Sequence, residues 1–165
     1  MQLYNKLSAN ERAILIEKAG NRRITLSFYK YHQIKNTSLF RDHLYLMWEK
    51  LDVLGRIYIA SEGINAQLSM PSQNLNEFKT KLDSIDFLKE IRLNVAVEQD
   101  DFSFLKLKVK IRNKIVADGL SENSFDLSNN GTHVNASEFN TLIENPNTLL
   151  VDMRNHYESE IGHFD

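Results

Sequence analysis

Apolar residues recur along this chain at two spacings, and the switches between them predict the elements. The opening segment, MQLYNKLSANERAILIEKAG, reads as a short helix. Ser8 and Glu11 fit a capping box, and Gly20 can end the helix in a left-handed conformation. Ile24, Leu26 and Phe28 then alternate with Thr25, Ser27 and Tyr29, the period of a strand. Thr37 or Ser38 can cap a helix whose stripe is Phe40, Leu44, Met47, Leu51 and Leu54, with Gly55 as its stop. A hairpin is predicted next. Ile57 and Ile59 lead to a turn at Glu62-Gly63, and Ile64, Ala66, Leu68 and Met70 form the return strand. Pro71-Ser72 opens a helix with Leu75, Phe78, Leu82 and Ile85 inside. Two strands follow, one on Ile91, Leu93, Val95 and Val97, the other on Leu105, Leu107, Val109 and Ile111.

The order strand, helix, strand, strand, helix, strand, plus an added strand, gives an α+β fold of the ferredoxin-like split βαβ type. Helices cover one face of such a sheet, and the other is open unless something packs on it. The expected organisation is an N-terminal helix over 1–21, the ferredoxin-like domain over 22–117, a polar linker over 118–131 and a second unit over 132–165. In the last, Asn135 can cap a helix carrying Phe139, Leu142 and Ile143, and Leu149, Leu150 and Val151 read as a buried parallel strand. Such a strand needs a neighbour, and about 34 residues cannot enclose a core. The sequence is therefore expected to stop inside a domain.

Composition narrows the function classes. No apolar run nears the ~20 residues of a membrane span, and no signal peptide is present. A cytoplasmic protein is expected. With Cys 0 there is no disulfide, thiolate metal site or cysteine nucleophile in the chain. The net charge of -2 hides a division: residues 1–117 carry 19 Lys+Arg and 13 Asp+Glu, whereas 118–165 carry one Arg and nine acids. A basic part followed by an acidic part suggests two units with different partners.

The basic residues concentrate in one pattern. Between Leu105 and Lys114 the even positions are Lys106, Lys108, Lys110, Arg112 and Lys114, with no acid among them. On a strand these five cations would line one face at ~7 Å intervals. They could track nucleic-acid phosphates, or guard an edge strand against aggregation. If Ile24, Leu26 and Phe28 face the helices, then Tyr29 and Tyr31 face away from them, with Tyr58 and Arg56 on the corresponding side of the hairpin. Rings interleaved with cations suit unpaired RNA; the same tyrosines could instead lie under the linker or second unit. His156 and His163 stand near acids without a metal-ligand spacing, and the glycines form no phosphate-binding loop. No cofactor is identifiable.

GRIYIASEGINAQLSMP (55–71), LKVKIRNKIVADG (107–119) and LLVDMRNHYESEIGHF (149–164), in this order, closely resemble the rhodanese-domain tRNA uridine hydroxylases. The resemblance runs from about Ile24 to Asp165 and rests on the EGIN turn together with the DMRNHYE run. It implies an acylphosphatase-like first domain and the start of a rhodanese domain. It also implies a tRNA anticodon arm as partner and conversion of its wobble uridine to 5-hydroxyuridine with molecular oxygen. The family's presumed reactive cysteine would lie downstream of DMRNHYE, so this chain alone is expected to be inactive. Asp152, Arg154 and Glu158 match the family's rhodanese motif and are expected to shape the site or its structure. Two rival readings are rhodanese-type sulfur transfer and a non-catalytic packing or RNA-binding module. Acylphosphatase chemistry is not expected, since KYHQIKNTS after the first strand has neither glycine nor arginine.

Overall fold

The computed structural model describes residues 5–19, 22–116, 131–152, 160, 162 and 163. Internal contacts divide the chain into two units, Met1–Leu127 and Ser128–Asp165. Of the proposed linker, only Gly131 lies among the described residues.

The first unit contains α1 (Ala9–Ala19), β1 (Arg23–Tyr31), α2 (Thr37–Glu49), β2 (Leu54–Ala60), β3 (Gly63–Pro71), α3 (Leu75–Asp83), β4 (Asn94–Val95) and β5 (Leu107–Ile111). The sheet order is β4-β1-β3-β2-β5. All neighbours are antiparallel except β5, which runs parallel to β2. The first four strands have the split βαβ order, and β5 is the added strand.

Alternation sets which face is buried. Leu26 and Phe28 of β1, Ile57 and Ile59 of β2, and Ile64, Ala66, Leu68 and Met70 of β3 form one core with Leu44, Trp48, Phe78 and Leu82 of α2 and α3. The Trp48 ring meets Phe28 edge-on at 6.4 Å and tilts against Phe78 at 5.6 Å. Each fully buried side chain of this size contributes roughly 1.5–3 kcal/mol.

The local signals mostly act as their chemistry requires. The Ser8 hydroxyl accepts from the Glu11 N–H at 3.2 Å, and the Glu11 carboxylate accepts from the Ser8 N–H at 2.8 Å. The backbone and hydroxyl hydrogen bonds of Ser8 hold the Glu11 carboxyl below its ordinary value. Four boundaries differ from the sequence reading. Asn36, not Thr37 or Ser38, caps α2, its side chain accepting from the Leu39 N–H at 2.9 Å. Gly55 does not stop this helix. Asp52 takes the left-handed position (φ 52°), while Val53 N–H donates to Trp48 O and Asp52 N–H to Glu49 O, at 3.0 and 3.1 Å. Leu54 and Gly55 therefore belong to β2, where a side chain on Gly55 would meet the Leu68 backbone at 2.7 Å. Pro71 ends β3, a 3₁₀ turn covers Ser72–Asn74, and Ile85 falls beyond α3 although it still packs on the core.

The fourth correction is β4, which is two residues long rather than running through Val97. Ile91 and Leu93 pack on the core before it, and Val97 is fully exposed. Side chains replace the missing ladder: the N–H groups of Thr25 and Arg23 donate to Gln99 Oε1 and Asp101 Oδ1 at 2.6 and 2.7 Å.

In the second unit, Asn135 and Glu138 form the capping box of α4 (Ala136–Ile143). Leu149, Leu150 and Val151 form no strand and are exposed. The buried-strand expectation fails because no strand lies beside them among the described residues to complete their hydrogen bonds. Asp152 is exposed, and Arg154 and Glu158 lie outside the described residues.

Candidate nucleic-acid interface

Strand register assembles the helix-free face row by row. Directly paired residues share a face. Ser27, Gln67, Arg56 and Lys108 are therefore side by side across β1, β3, β2 and β5. The next row, about 7 Å along the strands, is Tyr29, Asn65, Tyr58 and Lys110. Lys106 and Arg112 extend the β5 row at either end, because Gly55 N–H donates to Lys106 O and Arg112 N–H to Ile59 O. Lys114 does not. The strand has ended, Lys114 is half-buried, and the next residue, Ile115, is buried.

The predicted cations thus resolve into Arg56 on an interior strand and Lys106, Lys108, Lys110 and Arg112 on the edge. Among the described residues, none of these five has a carboxylate within 4.0 Å. The tyrosines differ in access. Tyr29 is 53% exposed and meets Tyr31 edge-on at 6.3 Å. Tyr58 is half-buried and carries the Arg112 guanidinium over its ring, 5.3 Å from the centroid. That contact is a cation–π stack, so Arg112 occupies one face of a ring expected to be bare.

One end of this face is closed. The connection from β4 to β5 runs from the β1 side of the sheet to the β5 side, and Thr25 Oγ1 meets Ser103 Oγ at 3.4 Å beneath it. Under this end Arg23 is 3% exposed. Its guanidinium donates to Ser69 O, Ser69 Oγ, Asp52 O and Asp52 Oδ2, the last at 2.8 Å. Arg12 of α1 reaches the other oxygen of the same carboxylate at 2.8 Å. Burial pushes the Arg23 guanidinium below its ordinary value, against the pull of Asp52.

The opposite end is held by the EGIN turn. Glu62 Oε1 accepts from the Ile115 N–H at 2.8 Å, and Asn65 Nδ2 donates to Ile115 O at 3.1 Å. Ser61 and Glu62 carbonyls receive the N–H groups of Ile34 and His32. Gly63, at φ 151°, lets the turn sit against the Lys30 carbonyl, where a side chain would clash. The turn therefore joins three distant segments, and Glu62 and Asn65 fix the chain as it leaves the basic strand. Sequence spacing marked the turn but not this clamp, whose partner is more than 45 residues away. Asn5 is a second missed residue: its amide pairs with both the N–H and C=O of Leu107, at 2.9 Å each, along the free edge of β5.

Among the described residues there is no cluster of His, Cys, Asp or Glu that could hold a metal ion, and no helix long and apolar enough to cross a membrane.

A family model described as the UPF0176 acylphosphatase like domain matches residues 23–115. Among curated relatives, the tRNA uridine(34) hydroxylase of Leptospira interrogans serovar Lai is 55% identical over 163 residues, which is 99% of this chain and 44% of the relative. The proteins of the same name from Photorhabdus laumondii and Yersinia pestis are 46% and 47% identical over 164 residues, covering 47% and 46% of their own lengths. The chain spans about half the length of the curated relatives it matches.

Proposed function

This chain belongs to the UPF0176 acylphosphatase-like family of tRNA uridine(34) hydroxylases, and from that premise we propose that its first unit is the RNA-holding part of a cytoplasmic enzyme acting on tRNA. In this reading the helix-free face docks the anticodon arm. Arg56, Lys106, Lys108, Lys110 and Arg112 hold phosphates, and Tyr29, with Tyr31 beside it, offers a ring to an unpaired base. Arg112 on Tyr58 presents a guanidinium plane, which also stacks on bases. The observation that carries the reading is the register that puts Arg56 beside Lys108 and Tyr58 beside Lys110, with no acid pairing these cations among the described residues.

The chemistry belongs to the same proposal. Hydroxylation of the wobble uridine to 5-hydroxyuridine would take its oxygen from molecular oxygen. This chain carries no cysteine, so a family mechanism using one would draw it from outside these 165 residues. Asp152, Arg154 and Glu158 would help shape that second site, and the chain alone would bind tRNA without modifying it.

The test is charge reversal. Lys106, Lys108 and Lys110 changed together to Glu should weaken binding of an anticodon stem-loop to this chain. The slope of log affinity against log salt should fall by about 2, at roughly 0.7–0.9 per lost phosphate contact. Unchanged affinity and slope would remove the basic strand from the function.

A further inference from the structure

Where the β4–β5 connection meets the basic edge there is a cavity of about 340 Å³, walled by Gly55, Arg56, Phe102, Lys106 and Lys108, with Ala9 at its side. Three features distinguish it from an ordinary surface dent. Its cations, Arg56, Lys106 and Lys108, have no carboxylate partner among the described residues. The nearby Asp100 and Asp101 do not line it. Their carboxylates are taken by the N–H groups of Phe102 and Arg23, at 2.8 and 2.7 Å.

The second feature is an aromatic ring left in water. Phe102 is 47% exposed. The third is that the segment displaying this ring is tied to β1 and turned on itself. Gln99 takes the Thr25 N–H at 2.6 Å, and the Ser103 hydroxyl donates to Asp100 O at 2.8 Å. A half-exposed phenylalanine on a tied-down segment, facing uncompensated cations, matches the chemistry of an unpaired nucleotide, which joins a π-face to a phosphate.

We propose that this cavity takes one unpaired nucleotide of the bound RNA, with its base on Phe102 and its phosphate among Arg56, Lys106 and Lys108. The proposal rests on the docking of RNA by the helix-free face and adds a station to it. Arg56 lies two residues from Tyr58 on β2, about 7 Å along the strand. The cavity is therefore continuous with the row holding Tyr29, Tyr58 and Lys110, and a single strand crossing that row can enter it.

The test uses the 165-residue chain and two RNA probes: a hairpin with a seven-nucleotide loop, and a blunt duplex of equal charge. Phe102→Ala and Phe102→Leu should each weaken hairpin binding about ten-fold, within the range of one lost base–aromatic stack. Neither should change the salt slope or duplex binding, because no charge is removed. Phe102→Trp should bind the hairpin within about three-fold of the parent, since it keeps a π-face. A 2-aminopurine placed in the loop should be quenched by the parent and by Phe102→Trp, but not by Phe102→Leu. Hairpin binding unaffected by Phe102→Ala and Phe102→Leu, while the triple lysine reversal still loses affinity, would overturn the cavity and leave the docking face standing. Equal losses on hairpin and duplex would also overturn it, since Phe102 would then act only through folding. If the lysine reversal has no effect either, the docking face fails together with the cavity.

Discussion

Asp52 sits between two guanidinium groups, and the cost of removing its charge depends on whether the buried one is present. Arg23 is nearly inaccessible, whereas the Asp52 side chain is 41% exposed. Asp52→Asn keeps a residue type that tolerates the left-handed backbone there, so the change acts mainly on charge. It leaves the Arg23 cation buried without its counter-charge. A fully broken buried pair costs about 3–5 kcal/mol. Here Ser69 O, Ser69 Oγ and Asp52 O remain as acceptors and water can reach position 52, so the expected loss is about 2–3 kcal/mol. Arg23→Met removes the buried charge itself but leaves the buried Ser69 hydroxyl and carbonyl without this donor, and should cost about 1–3 kcal/mol. In the Arg23→Met background, Asp52→Asn loses only the surface pair with Arg12, worth about 1 kcal/mol or less. The coupling between the two positions should thus be about 1–2 kcal/mol. Urea unfolding followed by the fluorescence of Trp48, the one tryptophan of the chain and a core residue of the first unit, reads these numbers. Equal costs for Asp52→Asn in both backgrounds would refute the reasoning.

Two further outcomes follow from the ends of the sheet and the start of the chain. Glu62→Ala leaves the N–H of the buried Ile115 without its acceptor and should cost about 1–3 kcal/mol locally. Amide exchange should show lost protection at Ile115 with β2 and β3 unchanged; equal loss across the hairpin would contradict the clamp. Glu11, whose folded value is lowered from 4.5, stabilises α1 at neutral pH, and this contribution disappears as pH falls through 4.5 and then through the folded value. Exchange in residues 9–19 should quicken over that acidic window in the parent chain, and the window should vanish in Glu11→Gln.

The fold was legible where a local pattern carried it. The alternation of β1, β2 and β3 and the three-and-four spacing of α2 and α3 gave the layers and their order, because each stripe had to meet the same core. The misjudged points share a cause, which is that a distant group supplies what the local reading assigned to a neighbour. Asp52 can occupy the left-handed position that suits glycine, and its carboxylate is engaged by Arg12 and Arg23, which lie far along the chain. The ladder of β4 stops early because Gln99 and Asp101 satisfy β1 with side chains. Phe102 sits in a polar run with no periodicity to mark it, and only the path of its segment across the sheet brings it to the basic edge. In the second unit, Leu149–Val151 have the composition of a buried strand, but composition cannot provide the neighbour on which that conformation depends.

The same register separates the two readings of the basic strand. An aggregation guard needs cations only where backbone groups are unpaired, on the outer edge of β5, and Asn5 already covers part of that edge by pairing with Leu107. It gives no reason for a cation on β2, which is hydrogen-bonded on both sides. Arg56 is such a cation, exposed in the interior of the sheet and side by side with Lys108. Two like charges directly opposite on paired strands oppose folding. A compensating anion held against both removes that cost, and phosphate does so at any base sequence. Arg56→Gln separates the cases: it should stabilise the free chain slightly while weakening RNA binding, whereas under a pure edge guard RNA affinity would not move.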